Sequence, residues 1–248
     1  MMAETIVGRQ PVLEALKAGT AIEKILFLEG VQGKQLEDIR AVAQARNIPV
    51  VVMNRYRFRD LVGHQKTQGV IALLSKPYSY STVEQLLARA AERNEKPFVL
   101  VLDEIEDPQN LGALVRTAEC AGVHGAIVPK HRSAPVSAAV VKASAGATEH
   151  LPIAEVTNIM HTIEELKQEH LWITGLDASG EKLYTEVDYT SPIALVVGNE
   201  GRGMRRLVKD HCDFVVRIPL LGKIASLNAS AAGAIVMYEV VRQRCGKH

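Results

Sequence analysis

Asp107-Pro108-Gln109-Asn110-Leu111-Gly112, followed by Arg116-Thr117-Ala118, sets turn-forming and polar residues directly behind an apolar run at 98–102. The run reads as a buried strand and 103–108 as a loop. Asn110 then opens a helix that carries Arg116 one and a half turns in. Both residues would stand near a strand's carboxyl end, where open α/β sheets bind their ligands.

Two later stretches repeat the pattern. Residues 193–197 empty into Gly198-Asn199-Glu200-Gly201-Arg202-Gly203, and 214–219 run through Leu220-Leu221-Gly222 into Ser226-Leu227-Asn228-Ala229-Ser230. Three such strand ends suggest one site holding Asn110, Arg116, Glu200, Ser226 and Asn228.

The chain has 248 residues, enough for one large or two modest domains, and its 47% hydrophobic content can fill a substantial core. Apolar runs are short and interrupted by charge, and Met1-Met2-Ala3-Glu4-Thr5 lacks a basic segment before an apolar one. Neither a signal peptide nor a membrane span is expected. Cys120, Cys212 and Cys245 are far apart without metal-ligand spacing and read as core thiols of a cytoplasmic protein. The net charge of +1 excludes a globally basic nucleic-acid coat, but residues 1–76 hold 11 Lys and Arg against 7 Asp and Glu. Within that basic front, Arg55-Tyr56-Arg57-Phe58-Arg59 interleaves guanidinium groups with rings. The composition suits phosphate contact and base stacking, or else a solvated helix face over core aromatics.

Short apolar strands at 24–29, 49–53 and 69–74 and an amphipathic helix at 34–46 predict a small α/β domain over 1–76. Residues 77–96 are expected to be a linker and a helix over 82–93, with Ser81 and Glu84 as its capping box. From residue 97 to 248 strands and helices alternate, predicting a parallel sheet covered on both faces. Strands fall at 98–102, 125–128, 171–175, 193–197 and 214–218, and helices at 110–121, 136–145, 158–169, 204–210 and 227–244. Residues 178–191 show no clear period.

Gly198, Gly201 and Gly203 fit no dinucleotide fingerprint, and no Walker-type sequence occurs. They permit close backbone approach to a ligand, or form a plain strand-to-helix turn. Asp103, Glu104, Glu106 and Asp107 suggest either a magnesium site or a solvated acidic loop. The eight histidines show no metal pair at helical spacing, so no resident metal is expected. The run Ala229-Ser230-Ala231-Ala232-Gly233-Ala234 implies tight helix packing, with a dimer contact as one option.

Taken together, the three blocks resemble the three motifs of the SpoU, or TrmH, family of ribose 2′-O-methyltransferases in the SPOUT superfamily. The first runs from Asp103 through Asn110 and Arg116 to Gly122, the second over residues 195–203, and the third from Ile218-Pro219 to Tyr238-Glu239. Val7-Gly8-Arg9-Gln10-Pro11 and Gln68-Gly69-Val70 resemble the front domain of RlmB-type members, which modify a guanosine ribose in 23S rRNA. The resemblance implies an RNA substrate-binding domain and a catalytic domain with a C-terminal trefoil knot. It also implies a homodimer through that catalytic domain and S-adenosylmethionine as cofactor, held around Gly198, Asn199, Ile218, Leu220 and Leu227. The family picture gives Arg116 the part of a base. Deprotonating an arginine first costs roughly 8 kcal/mol at neutral pH, so the expectation here is that Arg116 clamps phosphate and ribose. Asn110, Ser226 and Asn228 then supply hydrogen bonds, and Glu200 fixes Arg116 or the neighbouring loops. Competing expectations are a tRNA ribose methyltransferase, a non-catalytic RNA-binding ribosome assembly factor, and a magnesium enzyme built on the acidic loop.

Overall fold

The computed structural model describes residues 5–62, 67–74, 78–224 and 226–245. The chain divides into two compact units, Met1–Tyr78 and Ser79–His248.

The first unit runs β1 (Thr5–Val7), α1 (Arg9–Lys17), β2 (Ile22–Leu28), α2 (Lys34–Ala45), β3 (Val50–Met53), α3 (Arg55–Val62) and β4 (Val70–Leu74). Its sheet has the order β1-β4-β2-β3, with β2 and β3 parallel and β4 antiparallel to both β1 and β2. The period of two along β2 sends Ile25 and Phe27 into a core with Val12, Leu16 and Ile39, while Leu26 joins Phe58 and Ile71 on the other face. β1 and α1 were not expected from the sequence. Residues 75–77, at the start of the expected linker, lie outside the described residues.

The second unit opens with α4 (Val83–Glu92), β5 (Phe98–Asp103), α5 (Pro108–Cys120), β6 (Gly125–Pro129), α6 (Ala138–Ala143), β7 (Ile153–Val156) and α7 (Ile159–Gln168). It continues through β8 (Trp172–Leu176), β9 (Lys182–Leu183), β10 (Ile193–Gly198), α8 (Arg206–Asp210), β11 (Phe214–Arg217) and α9 (Ala229–Cys245). The seven strands lie in the order β7-β6-β5-β10-β8-β11-β9, and every pairing is parallel. β5 and β10 are buried at every residue because helices cover both faces. Val99, Val101, Ala194 and Val196 pack against Leu86 of α4, Ile163 of α7 and Val208 of α8. On the opposite face a Cβ at Gly233 of α9 would stand 2.6 Å from Leu114 of α5 and 3.6 Å from Val197 of β10. The small residues of α9 therefore serve a close approach inside this chain.

Several local expectations shift. Asp107, not Asn110, caps α5: its carboxylate accepts from the backbone N–H of Gln109 and of Asn110 at 3.2 Å, with Pro108 at the first helical position. The capping box of α4 is Thr82 with Gln85, one residue on from the expected pair. Ser81 instead donates its N–H to the Ile153 carbonyl at 2.8 Å and bridges to Ala154 beside β7. Residues 178–191 contain the two-residue strand β9. Cys120 and Cys245 are exposed, so only Cys212 resembles a core thiol, and burial pushes its pKa up to about 12.

Candidate active site

The site grows from the register of the two central strands. Gly198 at the end of β10 lies opposite Asp103 at the end of β5, so their following loops leave the sheet side by side. Here the chain topology also divides, with β6 and β7 on one side of β5 and β10 and β8 on the other. Such a division opens the crevice that α/β sheets use for ligands.

The acidic loop after β5 is not solvated throughout. Asp103 is fully buried, and its carboxylate accepts from the backbone N–H and the Nε of Arg205, each at 2.8 Å. Glu104, also buried, adopts a left-handed φ of 58° and lies 3.3 Å from Arg132 and 3.6 Å from Arg205. A side chain bears that φ only when its surroundings enforce it. Here the Asn199 amide donates to the Glu104 carbonyl at 3.0 Å, and Arg202 reaches Glu106 at 3.2 Å. Three arginines thus neutralise the loop, and two of them, Arg202 and Arg205, bind it to the segment following β10. No group of three or more His, Cys, Asp or Glu suited to a metal occurs among the described residues. Sequence reading missed this latch, although the basic run Arg202-Gly203-Met204-Arg205-Arg206 behind an acid-rich loop was a usable sign.

The loop after β10 folds back on itself. Asn199 and Gly203 exchange backbone hydrogen bonds at 3.1 and 2.8 Å, while the Asn199 Oδ1 accepts from the N–H of Gly201 at 2.9 Å and of Arg202 at 3.3 Å. Gly203 supplies the positive φ of 68° that closes the turn. The Asn199 side chain is engaged on both sides, its Oδ1 within this turn and its Nδ2 on the Glu104 carbonyl, and its backbone is paired with Gly203. Glu200 is displayed at the tip.

Three strand ends meet at Asn110, which is buried in the first turn of α5. Its amide Nδ2 donates to the Glu200 carboxylate, and its Oδ1 accepts from the Asn228 Nδ2 at 2.9 Å. Asn228 in turn caps α9, its Oδ1 accepting from the N–H of Ser230 at 2.9 Å and of Ala231 at 3.3 Å. Glu200 thus contacts Asn110, not Arg116. Arg116 lies about 9 Å further along the α5 axis on a different side of the helix. It is exposed, and its side chain has no hydrogen bond or ion pair among the described residues. Ser226 is exposed in the loop before α9, and no hydrogen bond joins it to the trio among the described residues.

The residues expected around a cofactor divide by position. Gly198 is buried, and a Cβ there would stand 2.3 Å from the Met204 backbone nitrogen. Ile218 is partly buried, whereas Leu220 and Leu227 are each 38% exposed and Leu221 is fully exposed. Leu220, Leu221 and Leu227 therefore present uncovered apolar side chains in the stretch leading to Asn228. Apolar walls with a few fixed polar groups are the usual makeup of a small-molecule site.

This parallel-sheet unit, with Asn110, Glu200 and Asn228 brought together from three strand-end loops, matches the family model described as SpoU rRNA methylase family over residues 97–238. Residues 5–80 match a second model, described as RNA 2′-O ribose methyltransferase substrate binding. A Bacillus subtilis (strain 168) protein assigned to the TrmH family of tRNA/rRNA methyltransferases is 41% identical over 239 residues, covering 96% of this chain and 95% of its own length. The crystal structure of the SpoU methyltransferase AviRb from Streptomyces viridochromogenes, in complex with AdoMet, shares the fold. Its TM-score is 0.63 at 24% identity, covering 99% of this chain and 92% of that one. An AdoMet-bound rRNA methyltransferase from Sinorhizobium meliloti gives a TM-score of 0.60 at 27% identity, covering 97% and 87%. The chain belongs to the SpoU rRNA methylase family of RNA methyltransferases.

Proposed function

We propose that this protein transfers the methyl group of S-adenosylmethionine to the ribose 2′-hydroxyl of a guanosine in 23S rRNA. The observation that carries the reading is the meeting of Asn110, Glu200 and Asn228 from three separate strand ends, with uncovered apolar side chains in the stretch leading to Asn228.

The residues present fit the cofactor. Leu220 and Leu227 offer exposed apolar surface for an adenine ring. The backbone at Gly198 and Ile218 would hold its polar parts, with the second lone pair of the Asn199 carbonyl beside them. When bound, the sulfonium supplies an already activated methyl, so the protein's task is alignment. Arg116, exposed and uncommitted, would grip an RNA phosphate and the target ribose. Asn110 and Ser226 would direct hydrogen bonds to the sugar, with Asn228 fixing Asn110. Glu200 acts as a positioning residue by orienting the Asn110 amide. The hydroxyl proton then leaves late, to phosphate or water.

The reading extends to a homodimer through the catalytic unit, for which α9 offers the partly exposed Ile235 and Tyr238. It also includes the trefoil knot in the C-terminal segment and a cytoplasmic location. No helix among the described residues is long and apolar enough to cross a membrane.

Mapping 2′-O-methylation in total RNA with and without the protein tests the assignment. One guanosine of 23S rRNA should lose its mark when the protein is absent. Loss confined to tRNA would move the substrate, in keeping with the tRNA/rRNA description of the Bacillus subtilis relative. Unchanged RNA together with no binding of S-adenosylmethionine would leave a non-catalytic assembly factor.

A further inference from the structure

The first unit carries an uncommitted surface at the edge of its sheet. Among the described residues β3 is an edge strand paired only with β2, and Val50, Val51 and Val52 are exposed at 37%, 41% and 56%. Three consecutive exposed valines on an open edge are a liability unless something covers them. α3 follows at once. Phe58 is its buried anchor at 4% exposure, packed with Leu26 and Ile71. Helical geometry puts Tyr56 about 160° around the axis from Phe58, and Tyr56 is 83% exposed. Arg55, Arg57 and Arg59 are exposed around it, and none has an ion pair or hydrogen-bonded side chain among the described residues. Asp60 is the one acid of the helix and is also exposed.

We infer that α3 and the adjoining edge of β3 form a contact site for single-stranded RNA, in which Tyr56 stacks on a base and Arg55, Arg57 and Arg59 take the flanking phosphates. This rests on the RNA methyltransferase reading above and adds the face of the substrate-binding unit that meets RNA. A solvated helix face explains exposed arginines but gives no reason for a ring at 83% exposure between them. An apolar protein partner would cover the valines, yet it would have to strip water from three unpaired guanidinium groups. A nucleic-acid strand satisfies both parts, since every base has an apolar face and every linkage a negative charge.

The test uses the full-length protein and a fluorescent single-stranded RNA oligonucleotide, titrated at several salt concentrations. Tyr56→Ala should weaken binding roughly 5-fold to 100-fold, as loss of one stacked base does, and Tyr56→Phe should restore it. Replacing the three arginines by alanine should flatten the slope of log affinity against log salt by about 2, at ~0.7 per phosphate on a single strand. Photo-crosslinks should map to the peptide containing Tyr56. These side chains are exposed, so the thermal midpoint should hold, and circular dichroism confirms the fold of each variant. Wild-type affinity and slope in the variants overturn the site, as does wild-type protein that does not bind the oligonucleotide. So do crosslinks confined to other parts of the unit, or loss of a protein partner with RNA binding intact. Methylation of cellular RNA by the wild-type protein is scored separately, so the surface can fail while the enzymatic reading stands.

Discussion

Asn110 and Asn228, 118 positions apart, are joined by a side-chain hydrogen bond of 2.9 Å that ties the start of α5 to the start of α9. Since Asn228 also caps α9, the Asn110 amide is held by the same residue that starts the final helix.

Asn110→Ala should therefore lower the single-turnover methylation rate about 100-fold, the usual effect of lost alignment at a reacting centre. Cofactor affinity should change by less than roughly 3-fold, because no cofactor wall is removed. Glu200→Ala should show the same pattern at smaller size, and Glu200→Gln should recover much of the loss by still accepting from Asn110. Rapid-quench assays with S-adenosylmethionine and total RNA check both.

Arg205→Ala should destabilise the second unit by about 3 kcal/mol, because it leaves the fully buried Asp103 carboxylate without its partner. Asp103→Asn should cost less, since an amide oxygen still accepts from the Arg205 backbone N–H. Urea unfolding followed by the single tryptophan, Trp172 on β8, measures the difference.

Two glycines buried in helix contacts should respond unequally to alanine. At Gly112 a Cβ would stand 2.4 Å from the Ala143 Cβ and 2.9 Å from the Ser144 backbone nitrogen, so α6 itself must move. The expected loss is about 2 to 3 kcal/mol. At Gly233 the obstacle is the far end of the Leu114 side chain at 2.6 Å, which can rotate. Alanine also gains roughly 1 kcal/mol of helix propensity there, so the net change should be under about 1 kcal/mol. Thermal midpoints of the two variants give the comparison.

His124 makes stability depend on acid. Burial pushes its pKa below the ordinary 6.5, with the neighbouring Glu95 opposing the shift. In its neutral form the Nδ1 accepts from the Phe98 N–H at 3.0 Å, and the Nε2 meets Glu95 at 2.9 Å. The unfolded chain binds a proton in a range where the folded chain does not. Stability is therefore complete above about pH 6.5 and falls as the pH drops toward the lower folded value. His124→Gln should flatten this slope, as read from unfolding free energies between about pH 5 and pH 7.5.

The strands of the second unit were legible because strands buried on both faces are written as unbroken apolar runs, as in residues 98–102 and 193–197. Motif positions were legible because polar residues cluster where those runs stop. Caps were harder. Ser81-Thr82 followed by Glu84-Gln85 offers two overlapping capping boxes, and only the pairing of Ser81 with the edge of β7 chooses between them. α1 was hidden by Gly8 and Pro11, which look like turn residues, although proline is tolerated in a first helical turn. The Asp103–Arg205 latch joins residues 102 positions apart, and no local pattern records such a pair. Arg116 shows the same limit from the other side, since its motif marks it plainly while its separation from Asn110 is a matter of helical phase.

Arg244, near the end of α9, donates to the backbone carbonyls of Lys96, Pro97, Tyr189 and Ser191, at distances from 2.8 to 3.2 Å. This strap spans the start of β5 and the segment before β10, while Asn228 holds the opposite end of the same helix. The final helix is thus clamped at both ends, by an amide at its start and a guanidinium near its finish, so that loss of either should loosen the other.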